Sequence, residues 1–408
     1  MTDTVVYTAA HGGFAGQDVP LGGGAAICDL LVAEWSRTRP FRTQLVRPRI
    51  PAREIVRFGE RQYAAFCRDF ERQATEAVLR HDPRRVAVLV NDISEGPDFR
   101  RIAGHGYAVF TIWHVDVIAY VAAIYLHGRV SPQTLVRWHD RLGDRWMPDI
   151  LKLIFRKQLD SAVYSRGVFV PSPAMKETLI ACYPRVNPDK VHVVGWGAPS
   201  GWVNPAELSI ARGELRRELG LPANAFVILT LSRISPEKGQ DLLLAACLEW
   251  ERRGTIPQRP VWLIICGEPA FMQGERFARK LRARAARLAR IRVLFPGYVS
   301  GTRKQAFLRV ASLYAFPSRH ESYGLTLMEA FQAGLPALCL DHAGARAVMR
   351  PDFGEVVEGE PVAGLCAALE RMSADPARLR DMGARARAWA ESQPFSESAA
   401  RIAAILLG

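Results

Sequence analysis

Short apolar runs alternate with longer stretches of helical periodicity along the whole chain. In the first half, runs at residues 4–8, 43–46, 86–90, 108–113, 167–170 and 191–194 read as strands, and amphipathic patterns at 24–37, 60–80, 132–164 and 174–183 read as helices. The second half repeats the rhythm, with strands at 226–231, 261–266, 292–295, 313–316 and 337–340 and helices near 239–253, 275–289, 302–311 and 325–333. Runs that are apolar throughout, bounded by Gly or Pro and separated by helices, argue for parallel sheets covered on both faces. Two such series predict an α/β protein of two doubly wound domains. Their seam falls in GWGAPSGWVNPAE, residues 195–207, where Gly, Pro and Ser cluster and the periodicity stops. The expected domains are 1–200 and 201–391, with helices at 377–389 and 395–407 ending the chain. There is no internal repeat at fixed period and no low-complexity tract.

Composition narrows the class. The 408 residues, 49% hydrophobic and 23% charged, exclude a disordered, collagen-like or disulfide-stapled chain, since this much apolar surface can form a large core. The longest apolar stretch, 109–125, is broken by His114 and Asp116 and falls short of the roughly 20 residues of a membrane span. The N-terminus passes straight into a strand-like run, so no secretory signal is expected and the expected location is the cytoplasm. Seven scattered cysteines with no C-x-x-C pair read as small buried hydrophobes in a reducing compartment, not as disulfides or a zinc site.

The net charge is +13, and only seven of the 54 basic residues are lysine. The arginines run from Arg37 to Arg401 without clustering, beside abundant alanine, which fits GC-rich coding better than a nucleic-acid surface. A solvated basic surface is the plain reading, and attraction to phosphorylated substrates or a membrane face is the sharper one.

Two segments carry chemistry. In FPSRHESYGLTLMEAFQAGLPALCL, residues 316–340, a strand ends, a polar turn follows, and a helix opens near Gly324. Unpaired N–H groups at such a helix start bind phosphate, Gly324 lets the backbone approach, and Glu329 is placed to reach a ribose diol. Glu321 is left at the mouth. The second segment, LSRISPEKGQ at 231–240, puts Arg233 and Lys238 in the same kind of strand-to-helix crevice, suited to neutralising a leaving diphosphate.

Together these residues resemble the retaining glycosyltransferases of the GT-B fold, specifically family 4. That family shows an E-x(7)-E pair, here Glu321 and Glu329, then a G-x-P turn, here Gly334-Leu335-Pro336, and an Arg…Lys pair after the first strand of its second domain, here Arg233 and Lys238. The resemblance is specific over 227–340 and general in topology before that. It implies two facing domains, with a C-terminal helix from about residue 392 crossing back to the first. It also implies transfer of a sugar from a nucleoside diphosphate sugar, with retention. Glu329 would then bind the ribose, Arg233 and Lys238 the diphosphate, and Glu321 a hydroxyl of the donor sugar. Backbone around Tyr323, Gly324, Leu325 and Thr326 would cradle the distal phosphate and sugar. In the first domain, Leu21-Gly22-Gly23-Gly24-Ala25 matches the family's glycine-rich helix start, which a phosphate or acceptor can approach, and His114 in TIWHVD matches a histidine aimed at the reacting sugar. No D-x-D occurs at a strand end, so neither a metal nor another cofactor is expected. The expected partners are the sugar nucleotide and, preferentially, a small-molecule acceptor as in secondary-metabolite assembly.

Each assignment has a plainer rival. The glycines fit a simple loop, and His114 fits a structural histidine, with His11 and His320 also on mouth loops. Asp116 is either a helix cap or a partner of His114. Residues 276–292 place Phe277, Leu281, Leu288 and Ile291 on one face among cations, read first as an outer helix packed on a sheet and second as a membrane-surface helix. Trp138 and Trp146 with their intervening arginines form a similar candidate, and a lipid-linked or polysaccharide acceptor is the alternative that these basic helices favour. A sugar-nucleotide epimerase and a noncatalytic basic protein are more remote. Two departures from the family pattern stand out. Where a G-G-x-x-E segment is usual, the chain reads Asp341-His342-Ala343-Gly344-Ala345-Arg346, without the carboxylate, and the arm 12–24 is an elaborated first loop.

Overall fold

The computed structural model describes residues 3–13, 22–55, 57–126, 128–143, 147–199, 201, 203–269 and 274–408. Most of the arm 12–24, including Leu21, and Trp146 therefore lie outside the described residues. The chain forms two compact units, which part between Trp196 and Gly197 and again between Phe395 and Ser396.

The first unit is built on a six-stranded parallel sheet of β1 (Thr4–Thr8), β2 (Arg42–Val46), β3 (Val86–Val90), β4 (Ala108–Ile112), β5 (Gly167–Val170) and β6 (Val191–Val193), in the order β2-β1-β3-β4-β5-β6. β3 is VAVLV, buried at every position, as a strand covered on both faces must be. The C-terminal helix Phe395–Leu407 completes this unit. There, the indole N–H of the buried Trp35 donates to the Ala399 carbonyl at 3.0 Å, and Ser398 Oγ donates to the Gly195 carbonyl at 2.6 Å.

The second unit has β7 (Phe226–Leu231), β8 (Val261–Cys266), β9 (Ile291–Gly297), β10 (Leu313–Phe316), β11 (Ala337–Leu340) and β12 (Gly354–Val357), all parallel, in the order β12-β11-β10-β7-β8-β9. Apolar clusters fill both faces of this sheet.

Several elements differ from the sequence expectation. The expected helix 132–164 is two helices, Pro132–Leu142 and Asp149–Tyr164, because Gly143 ends the first with φ 66° and Pro148 stands ahead of the second. β12 is a sixth strand that the pattern missed, since it is a four-residue edge strand carrying Glu355. Helices Pro205–Leu219 and Pro361–Ala374 were missed too, although each has a side-chain N-cap (Asn204, Glu360) and Pro in its first turn. The run 276–292 divides between the helix Gly274–Ala285 and β9. Leu281 and Ile291 are buried there, with Phe277 and Leu288 packed against the same core, so the apolar face is taken up and offers no membrane-surface stripe. Among the described residues no helix is long and apolar enough to cross a membrane. All seven cysteines are buried and free.

Candidate functional site

In the second sheet, β7 and β10 are neighbours, yet the chain leaves them toward opposite edges. Such a switch of direction opens a crevice at the carboxyl ends of the two strands. The loop after β7 holds Arg233 and a turn at Pro236–Lys238, and the loop after β10 holds residues 317–324. The two loops are clamped together. Arg319 forms a bidentate pair with Asp241, at 2.8 Å for each bond, and its backbone N–H donates to the Glu237 carbonyl at 2.8 Å. Gly239, with φ 65°, lies so close to this loop that a Cβ there would sit 1.8 Å from the Pro317 carbonyl oxygen. Only glycine permits both the conformation and the approach.

This clamp brings Lys238 Nζ onto Glu321 Oε1, which also accepts from Ser318 Oγ at 3.1 Å. Burial works to raise the Glu321 carboxyl, but Lys238 outweighs it and holds the group below the usual range. Arg233 lies 3.7 Å from Glu237, whose Oε1 also accepts from Ser235 Oγ. Gln240 fixes the loop by donating to Ser232 Oγ at 2.9 Å and to the Arg233 carbonyl at 2.8 Å.

The helix Leu325–Gln332 starts at this crevice behind Gly324, whose carbonyl accepts the Leu327 N–H at 3.0 Å, and no side chain caps this start. Tyr323 is partly buried on the adjoining core, and the Thr326 hydroxyl accepts from Tyr314 at 2.7 Å. In the second turn, Glu329 is buried with its two oxygens unequal. Oε1 is held by Lys304 Nζ at 2.6 Å, and Oε2 is buried with no hydrogen-bond partner. A buried carboxylate oxygen in that state is costly unless a ligand hydroxyl fills it.

The first sheet has its own switch, between β1 and β3, and a polar cluster occupies the strand ends there. Asp92 Oδ2 accepts the backbone N–H of Ala10 at 2.8 Å and of His11 at 3.2 Å, while Oδ1 lies 3.3 Å from His11 Nδ1. His11 Nε2 is 3.3 Å from the Tyr63 hydroxyl, which donates to Glu95. Burial would raise the Asp92 carboxyl, but His11 and His114 hold it below its usual value, whereas burial pushes the Glu95 carboxyl up against the pull of His11. Two neighbouring carboxyls are thus pushed in opposite directions. Ligating atoms of His11, Asp92 and Glu95 lie within 4.8 Å of one another, a spacing that suits a metal ion, although Tyr63 and the backbone amides already supply partners.

His114 Nε2 donates to Asn91 Oδ1 at 3.0 Å, and burial depresses this imidazole to about 4. Asn91 Nδ2 in turn reaches the Gly24 carbonyl at 3.3 Å. Gly24 and the exposed Gly23 open the helix Gly23–Thr38 in this first unit, whereas the other donor-binding candidates all belong to the second. Asp116 caps the helix Val117–Tyr120 and accepts from Gln158 at 2.7 Å, so it is the cap and not the partner of His114. Sequence reasoning missed Tyr63, Asn91, Asp92, Glu95 and Lys304. The polar run NDISE directly after VAVLV was the available signal for three of them.

Residues 211–389, all within the second unit, match the family model described as glycosyl transferases group 1. The chain is 32% identical, over 214 residues, to a D-inositol 3-phosphate glycosyltransferase of Gordonia bronchialis, a match covering 52% of this chain and 46% of that protein. The chain therefore spans about half the length of the curated relatives it matches. Over 99% of both chains, the fold resembles that of the Anabaena protein HepE, solved in complex with UDP-glucose, with a TM-score of 0.69 at 17% identity. WaaG, a glycosyltransferase involved in lipopolysaccharide biosynthesis, gives a TM-score of 0.68 at 16% identity, covering 99% of this chain and all of the other. The fold is that of the GT-B glycosyltransferases.

Proposed function

We propose that this protein is a retaining, metal-independent glycosyltransferase of family 4, acting in the cytoplasm on a UDP- or GDP-sugar. One observation carries the reading. At the switch point of the second sheet, Glu329 has one oxygen fixed by Lys304 and the other buried and unfilled, in a helix whose first turn can take a phosphate. Glu329 binds a ribose hydroxyl, and the amides from Tyr323 to Thr326 take the distal phosphate. Arg233 and Lys238 neutralise the leaving diphosphate, the service that a divalent ion performs elsewhere. Glu321 accepts from a hydroxyl of the donor sugar. The bond from the anomeric carbon to the phosphate oxygen breaks, a bond to the acceptor oxygen forms on the same face, and the acceptor proton passes to the leaving phosphate.

The first unit holds the acceptor, at the crevice where Gly24, Asn91 and His114 meet. A small, phosphorylated polyol is the favoured acceptor, in keeping with the +13 charge of the chain and with the inositol phosphate named for its relatives. A lipid-linked acceptor is the second reading. It is favoured by Trp138 and Leu142, 50% and 77% exposed beside the exposed Arg137 and Arg141 on the helix Pro132–Leu142. Proton NMR of the product formed from an α-linked sugar nucleotide tests the mechanism. Retention gives an α-linked product, and a β-linked product refutes it.

A further inference from the structure

The loop that departs from the family pattern holds an imidazole with an unfilled donor. β11 ends at Leu340, and His342 caps the short helix Ala343–Val348, its Nδ1 accepting the Ala345 N–H at 3.0 Å. That bond fixes the tautomer, since a ring nitrogen that accepts carries no proton, and the proton of the neutral ring then sits on Nε2. Nε2 is buried and has no partner, on a residue only 5% exposed.

The surroundings join this ring to the crevice. It packs edge-on against Phe316, the last residue of β10, with 5.3 Å between centroids. The Gly344 N–H donates to the Glu321 carbonyl at 2.9 Å, tying the loop to the turn that carries Glu321. The charged and titratable groups acting on His342 are Glu321, His320, Lys238 and Asp341, and burial outweighs them to keep the ring neutral, with its pKa lowered to about 4. Asp341 is itself engaged by Arg346 at 2.6 and 2.8 Å, and Glu321 by Lys238. A neutral N–H beside an already paired carboxylate suits a neutral oxygen better than a phosphate.

We infer that His342 is a specificity-determining residue, its Nε2–H donating to a hydroxyl of the sugar carried by the nucleotide; this rests on the donor site proposed above. Glu321 supplies an acceptor and His342 a donor, so together they read the positions of the sugar hydroxyls.

The test compares wild type with His342→Asn, which keeps a capping side chain but loses the second ring nitrogen, and with His342→Ala. Calorimetry measures binding of UDP and GDP and of their glucose and mannose conjugates, without acceptor, from pH 5.5 to 8. The expected result is a gain in affinity of the preferred conjugate over its diphosphate in wild type, constant with pH. In His342→Asn that gain falls by roughly tenfold while diphosphate affinity is kept. A gain unchanged in His342→Asn, or absent from wild type, overturns the role of His342 and leaves the donor site standing. Failure of wild type to bind either diphosphate overturns the donor site, and this inference with it. Nitrogen-15 spectra of the histidines separately check that the His342 proton is on Nε2.

Discussion

Glu321 is half-buried beside Lys238, and that pairing governs its charge. Burial pushes the carboxyl up and Lys238 pulls it down, with the net effect downward. The stability gained from the ionised pair is therefore present above the ordinary Glu value near 4.5 and is lost as pH falls below it. Lys238→Met leaves a half-buried carboxylate without its cation. We expect turnover to fall by on the order of a hundredfold and the acidic limb of the pH–rate profile to move to higher pH, with Lys238→Arg restoring part of both. An unshifted acidic limb with undiminished turnover would refute the role. Arg233, Lys238, Glu321 and Glu329 are legible in the sequence because each stands at a fixed distance from a strand end. Asp92 is not, because its contact with His11, itself readable only as a histidine on a mouth loop, joins residues 81 apart. Lys304 reads as one of many surface cations until the fold sets it against Glu329.

At the scale of elements, the crevice of the second unit depends on two loops held at contact distance. Gly239→Ala would put a Cβ 1.8 Å from the Pro317 carbonyl oxygen at φ 65°, separating the loop of Lys238 from that of Glu321. We expect a loss of about 2 kcal/mol or more in urea unfolding, with nucleotide affinity falling alongside. Unchanged stability and affinity would show that the clamp does not shape the site. Ten of the strands lie where apolar runs bounded by turn residues place them, and β9 is found as part of a longer strand. β12 escapes because an exposed edge strand has few residues and one buried face to pattern. The break between Pro132–Leu142 and Asp149–Tyr164 has visible signals in Gly143 and Pro148, but the polar periodicity carries across them.

Across the whole molecule, two parallel sheets each reverse their winding once, and each reversal gathers polar residues at the strand ends. In the second unit these are Arg233, Lys238, Glu321 and Glu329, in the first His11, Asn91, Asp92 and His114. The chain order of the motifs makes the second crevice readable in advance, whereas the first is assembled from three loops and a helix with no fixed spacing. The central claim is that the second crevice binds a nucleoside diphosphate through Glu329 and needs no metal ion. Calorimetric titration of the metal-free protein with UDP, GDP, ADP and TDP tests it most directly. The account predicts micromolar binding of one of them, weakened at least tenfold in Glu329→Ala by loss of a charge-assisted hydrogen bond. Absence of binding by all four, or binding that Glu329→Ala leaves intact, would contradict it.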